Sequence, residues 1–164
     1  MGGVAARGID LAQVKYEWVQ PALATLGLLS PARLNLVTGI GLAESNYIWM
    51  KQLNNGPALG FWQMEPFTHD DLWKNSLIAP CRSRIAYGLH QLLHGVEPAS
   101  SQMITNPLYG AGMCAVKVWL APQSLPAADD AVGMSAYHKR WYNSALGAAD
   151  PVRNIPAFKR VILA

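Results

Sequence analysis

Glu44 stands at the end of an otherwise apolar helical stripe, and its carboxyl group could serve as a general acid. Val37, Ile40, Gly41 and Glu44 are spaced at i, i+3, i+4 and i+7, so a helix presents all four on one face. A carboxylate there is costly unless it is paired or protonated, and the negative end of the helix dipole also favours the protonated form. General acid catalysis needs an acid that holds its proton near neutral pH. The alternative for this helix alone is a structural glutamate bound to an arginine or to backbone donors.

The segment from Gly60 to Thr68 is dense in aromatic and amide side chains and follows a loop rich in glycine, proline and asparagine. Aromatic faces cover the C–H surfaces of a sugar, and an amide such as Gln63 offers both a donor and an acceptor to its hydroxyl or acetamido groups. The segment therefore predicts a carbohydrate contact. The alternative is an ordinary turn packed by Phe61 and Trp62.

Together, these two elements resemble the signature of the lytic transglycosylases of the lysozyme superfamily, the soluble-lytic-transglycosylase type of domain. That family carries Glu-Ser and then Gly-Leu-Met-Gln-x-x-Pro-x-Thr. Here Glu44-Ser45 is followed by Gly60-Phe61-Trp62-Gln63-Met64-Glu65-Pro66-Phe67-Thr68, and Gln63 comes 19 residues after Glu44.

Two later segments extend the resemblance, which spans Ser30 to Asn143 and leaves residues 1–10 and 150–164 as terminal segments. Asn106-Pro107-Leu108-Tyr109-Gly110 through Trp119-Leu120 resembles the family's Asn-x-x-x-Gly helix, which ends in an aromatic-Leu pair. Ser135-Ala136-Tyr137 resembles the family's Ala-Tyr-Asn element, whose tyrosine lies near the catalytic glutamate. In this chain His138 stands where the family has asparagine.

The resemblance implies that Glu44 protonates the glycosidic oxygen between N-acetylmuramic acid and N-acetylglucosamine. The same carboxylate would then act as a base toward the sugar's own 6-hydroxyl, giving a 1,6-anhydro product without a second protein carboxylate. A hydrolytic lysozyme would need a second acid. Glu65 is the candidate for that second role, whereas Asp70 and Asp71 are more typical of a helix start.

The resemblance also nominates substrate contacts. Gln63 and Tyr137 are the leading candidates, and Ser45, Phe61 and Trp62 follow them. For Phe61 and Trp62, packing in the core is an equally good interpretation. Neither a cofactor nor a metal ion is expected, since the i, i+4 pair His90 and His94 has no evident third ligand.

Hydrophobic periodicity and capping residues predict helix after helix. The first runs from Leu11 to Leu26, with a kink or break at Pro21. The second begins at the Ser30-Pro31 cap and ends near Ser45. Thr68-His69-Asp70-Asp71 indicates an N-cap with acids in the first turn of a helix that ends before Pro80.

The rest of the chain follows the same pattern. Further helices are predicted over Arg82 to His94, Pro107 to Leu120 and Met134 to Leu146, with a linker at Pro122 to Asp130 and a C-terminal tail opening at Asp150-Pro151. Strand signals are weak, and a small hairpin within residues 53–64 is the one candidate. The expected fold class is mostly α, of the α+β lysozyme-like kind, in a single domain over residues 1–164.

The composition of the chain argues against several classes of protein. The chain has 164 residues, of which 51% are hydrophobic, which favours one domain with a real core and excludes a wholly disordered protein. The 13 basic residues are spread along the chain, so no nucleic-acid patch is expected. No apolar run reaches the roughly 18 residues of a membrane span, so no stable membrane insertion is expected. Cys81 and Cys114 are interpreted as small buried thiols rather than as a bridge.

The resemblance implies a peptidoglycan-cleaving enzyme that acts on bacterial glycan strands. Because no secretion signal is evident, we expect a bacteriophage product, either an endolysin or a virion-associated enzyme that contacts phage structural proteins. It would reside in the virion or in the host cytoplasm and act in the periplasm or cell wall. The alternative, suggested by His138, is a tail or baseplate subunit that keeps the lysozyme-like fold with little or no activity.

Overall fold

The computed structural model describes residues 8–143 and 148–164, and the described chain is mostly helical. The first helical run, α1, joins Leu11–Gln13, a π-helical segment at Val14–Val19 and Gln20–Leu26. The later helices are α2 (Pro31–Ser45), α3 (Pro66–Asp71), α4 (Ser83–Leu93), α5 (Gln102–Thr105), α6 (Pro107–Trp119), α7 (Ala131–Tyr137) and α8 (Pro151–Leu163). Two further π-helical segments follow α3 and α7 directly, at Leu72–Ser76 and His138–Asn143, and short 3₁₀ turns lie at Leu53–Asn55 and Pro80–Arg82.

Helix α6 is buried along most of its length. Met113, Cys114, Ala115 and Val116 are completely buried, so neighbouring helices cover several sides of α6. Helices α1, α2 and α4 all pack against it. The predicted helix over Pro107 to Leu120 is confirmed, and the Asn106 side chain caps it by accepting from the Tyr109 N–H.

The C-terminal segment is a helix rather than the predicted tail. Asp150 caps α8 by accepting from the N–H groups of Val152 and Arg153, and α8 packs against α2 and α7. Phe158 and Val161 are completely buried, and the Phe158 ring occupies the space where a Cβ at Gly39 would lie. Glycine in α2 therefore allows α8 to approach closely, and burial of Phe158 outweighs the unfavourable Pro156 inside the helix.

The predicted extent of the first helix, from Leu11 to Leu26, is confirmed, but the helical run does not break at Pro21: the π-helical segment before it has a wider turn and pairs the Gln20 N–H with the Lys15 carbonyl. One predicted boundary was wrong. The helix assigned to a Thr68 cap begins at Pro66 after Glu65, since proline is favoured at a first helical position. Asp70 and Asp71 consequently lie at the end of α3, not at its start.

Other predictions are confirmed in part. The second helix and the helix near Arg82 to His94 have the expected positions. The hairpin within residues 53–64 is reduced to isolated antiparallel bridges from Leu59 to Lys51 and Met64. Helix α7 begins at Ala131, before the predicted Met134, and the predicted end at Leu146 lies outside the described residues.

Both cysteines are free thiols, but only Cys114 is buried, since Cys81 is exposed. In the described part of the chain, no helix has the length and hydropathy needed to cross a membrane.

Candidate functional site

Glu44 lies in the last turn of α2, and its side chain is 15% exposed. His138 Nε2 lies 2.6 Å from Glu44 Oε1, and Asn143 Nδ2 lies 3.4 Å from the same oxygen. Both hydrogen bonds that Glu44 makes to described residues therefore use Oε1. No described residue makes a hydrogen bond to the second oxygen, Oε2.

The π-helical segment after α7 brings the two partners of Glu44 together. His138 and Asn143 are five residues apart, and π-helical hydrogen bonds join residues at that separation. In a regular α-helix the same spacing would turn the two side chains to different faces. The wider turn thus allows one short segment to place two donors on one carboxylate.

The surroundings of His138 indicate which of its two ring nitrogens carries the hydrogen. The side chain is 1% exposed and lies between the rings of Tyr142 and Phe158, each with its centroid 6.0 Å away. Its Nδ1 has no hydrogen-bond partner among the described residues. A neutral imidazole has one N–H, and placing it on Nε2 uses it in the bond to Glu44 rather than leaving it unpaired. His138 therefore donates to Glu44 and leaves a bare nitrogen lone pair at Nδ1.

Two cavities adjoin at Glu44. The first, of about 450 Å³, is lined by polar side chains that include Gln63, Glu65 and Lys117. The second, of about 500 Å³, lies toward α8 and is lined by Arg153 and Arg160 among others. Glu44 and Asn143 line both cavities, so the two cavities meet at these side chains.

Lys117 provides the positive charge of the first cavity. Its Nζ donates to the Tyr142 carbonyl over 2.6 Å and lies 4.5 Å from the centre of the Tyr142 ring. Burial lowers the pKa of Lys117, while the charges of Cys114, Glu44 and Glu65 act in the opposite direction. Lys117 is the one charged residue in the apolar α6 sequence, which is the signal that could have identified it.

Gln63, a predicted substrate contact, lines the first cavity in an unusual backbone conformation. Its φ is +49°, and its Nε2 donates to the Gly60 carbonyl over 2.8 Å. Such a conformation in a residue other than glycine costs on the order of 1–3 kcal/mol and is common at functional sites. Glu65, the candidate second carboxylate, is exposed and lines the same cavity.

The other predicted substrate contacts line neither cavity. Ser45 is buried and bonds to the Gly41 carbonyl and the Tyr47 N–H. Phe61 stacks on Trp18, and the Trp62 Nε1–H donates to the Val37 carbonyl, so both have the packing role that was the alternative interpretation.

Tyr137, the other leading candidate for a substrate contact, also lies outside both cavities. Its hydroxyl lies 3.2 Å from the carbonyl oxygens of Val118 and Gln123. Burial raises the pKa of Tyr137, and the charge of Arg33, at the opposite end of α2 from Glu44, acts in the opposite direction. Tyr142 and Asn143 line the first cavity instead. Sequence reasoning missed both because it took Tyr137 from the resemblance and did not foresee the π-helical segment that follows Tyr137.

The described residues contain no group of three or more His, Cys, Asp or Glu side chains arranged to hold a metal ion. Asp70 pairs with His69 Nδ1 over 2.9 Å, and Asp71 accepts from Asn75, so both acids have structural partners outside the cleft. Comparisons with protein-family models, curated proteins and solved structures gave no match. The functional interpretation therefore depends on the chemistry of the cleft.

Proposed function

We propose that this chain is a peptidoglycan-cleaving glycosidase of the lytic-transglycosylase kind, with Glu44 as its general acid. The observation that carries the proposal is the position of Glu44, a mostly buried carboxyl group at which two polar cavities adjoin. An enzyme that cuts inside a polymer needs room for sugars on both sides of the scissile bond. The acid must also lie within hydrogen-bond reach of the bridging oxygen.

The hydrogen bonds around Glu44 suit this role. His138 and Asn143 hold Oε1, so a proton acquired by the carboxyl group can reside on Oε2. A proton added to His138 instead would go to Nδ1, where it would have no described acceptor between the two aromatic rings. Glu44 is thus the favoured proton carrier of the pair, and His138 is a positioning residue.

The reaction then requires two proton transfers at one carboxyl group. Glu44 donates its proton to the glycosidic oxygen as the bond to the muramic acid C1 breaks, and the leaving sugar departs as an alcohol. The carboxylate next removes the proton from the 6-hydroxyl of the muramic acid as that oxygen bonds to C1. The proton returns to Glu44, and no water is consumed.

The Tyr142-Asn143 pair supports the same interpretation. The resemblance implied a Tyr-Asn element whose tyrosine lies near the acid, and Tyr142-Asn143, five residues beyond Tyr137-His138, lines the cavity beside Glu44. Glu65 leaves hydrolysis open as a variant of the proposal, because it lines the same cavity and could activate water. The bacteriophage origin remains a prediction.

Release of soluble fragments from dye-labelled peptidoglycan tests the proposal. The Glu44→Gln variant should lose cleavage and keep its fold, since glutamine preserves the shape of the side chain but cannot donate and recover a proton in this way. Glu97→Gln is the matched control, because Glu97 is exposed and lines neither cavity. Full activity of Glu44→Gln would refute the role of Glu44, and an inactive, folded wild type on several bacterial walls would favour the structural subunit.

A further inference from the structure

The C-terminal helix contributes a pair of arginines to the second cavity of the cleft. Arg153 and Arg160 both line this cavity, and both side chains are exposed. They are seven residues apart, which places them two turns apart on one face of α8, with a rise of about 10.5 Å between them. Among described residues, neither guanidinium group makes a hydrogen bond or an ion pair.

The acidic groups beside these arginines are already engaged. Asp150 Oδ1 accepts from the N–H groups of Val152 and Arg153 as the cap of α8. Glu44 Oε1 accepts from His138, and in the acid form that begins the proposed reaction Glu44 carries no charge. The second cavity then has two arginine charges against the one charge of Asp150.

The planar fork of an arginine matches a carboxylate, to which it can donate two parallel hydrogen bonds. In the proposed substrate, the muramic acid carries a lactyl carboxyl group on the sugar whose bond is cut. In intact peptidoglycan this group is joined to a stem peptide, which carries carboxylates of its own. A cavity that adjoins the acid is where such a substituent would lie.

We propose that Arg153 and Arg160 form a carboxylate-binding subsite that recognises the muramic acid side of the substrate. The subsite rests on the proposed function, and it makes the enzyme selective for acidic over neutral glycans. Its ligand is either the free lactyl carboxylate or a carboxylate of the stem peptide. The arginines act by binding and are outside the proton-transfer step.

Calorimetric titration of the full chain carrying Glu44→Gln tests the subsite, because this variant should bind glycans without cutting them. The probes are a neutral N-acetylglucosamine tetramer, an alternating N-acetylglucosamine–N-acetylmuramic acid tetramer with free lactyl carboxylates, and that tetramer bearing stem peptides. At low salt the acidic tetramers should bind about tenfold more tightly than the neutral one, since contacts made by two exposed arginines contribute modestly and are screened by salt. If the free-acid tetramer binds more tightly than the neutral one, the ligand of the subsite is the lactyl carboxylate. If only the peptide-bearing tetramer binds more tightly, the ligand is a carboxylate of the stem peptide.

Adding Arg153→Gln and Arg160→Gln together should abolish this preference and leave binding of the neutral tetramer unchanged. Lys159→Gln is the matched control, since it removes one charge from an exposed position of α8 that does not line the cavity. Equal binding of all three glycans, or an equal loss for all three in the double variant, would overturn the subsite and leave the proposed function intact. Failure of every glycan to bind, with the circular dichroism of the folded chain retained, would overturn both proposals.

Discussion

Replacing His138 with leucine should impair turnover far more than folding. The change removes the 2.6 Å hydrogen bond to Glu44, and a bond to a charged group contributes about 1.5–3 kcal/mol. It also removes the buried, unpaired Nδ1, whose burial costs about 1–3 kcal/mol. These two effects nearly cancel, and leucine suits the space between the Tyr142 and Phe158 rings. We therefore expect the free energy of unfolding to change by less than about 2 kcal/mol.

Turnover should respond differently, because Glu44 would keep only the 3.4 Å contact with Asn143. A misplacement of about 1 Å can reduce a catalytic rate on the order of 100-fold. We expect kcat on soluble glycan to fall by about that factor, with KM little changed. His138→Gln should restore much of the rate, since its terminal N–H donor has nearly the same reach as Nε2.

Urea unfolding and steady-state kinetics on the same preparations separate the two effects. Wild-type kcat in the folded leucine variant would refute the positioning role of His138. Equal losses in the leucine and glutamine variants would show that the N–H donor is not what matters.

Three further predictions concern the scaffold. Phe158→Ala should lower the free energy of unfolding, measured in urea titrations, by about 3–5 kcal/mol, because the ring is completely buried where α8 meets α2. A loss below about 1 kcal/mol would show that Phe158 does not hold α8 against α2. Tyr109→Phe should lower the free energy of unfolding by about 1–3 kcal/mol, since the Tyr109 hydroxyl forms hydrogen bonds with His69 and Trp73. Tyr87→Phe is the control and should leave the free energy of unfolding unchanged, because Tyr87 is exposed. Equal effects of the two changes would contradict the role of this hydrogen-bond network. Burial raises the pKa of Tyr47 and Tyr142, so the folded state retains protons that the unfolded state loses above about pH 10, and stability should fall there. Alkaline unfolding followed by circular dichroism checks this sign, and a stability that rises above that pH would contradict it.

Local signals in the sequence predicted much of the helical framework. Ser30 and Asn106 are polar caps placed before a proline, and both helices begin where these residues predict. These helix predictions succeed because they depend on side chains only a few residues apart. Glu44 was singled out because a carboxyl group interrupts an apolar stripe; it lines two adjoining cavities, and its catalytic role stays a prediction.

The C-terminal helix and the side chains around Glu44 could not be predicted in this way, because they depend on contacts between distant parts of the chain. The segment after Asp150-Pro151 was predicted to be a tail, and the packing of Phe158 against Gly39 explains why a helix forms there despite Pro156. Tyr137 was assigned to the site by the resemblance, whereas the π-helical segment after it brings His138 and Asn143 to Glu44 instead. The role of Lys117 likewise follows from tertiary contacts, since its partner Tyr142 lies 25 residues away.

The mass of the fragments released from purified peptidoglycan tests the central claim most directly, with wild type, Glu44→Gln and Glu65→Gln digested side by side. If Glu44 acts alone, wild type and Glu65→Gln give fragments lighter than hydrolysis products by one water, about 18 Da, because the 6-hydroxyl replaces the water that hydrolysis would add. Glu44→Gln should release no fragments. Fragments with ordinary reducing ends that disappear in Glu65→Gln would contradict the single-carboxylate mechanism and assign the chain to the hydrolytic lysozymes.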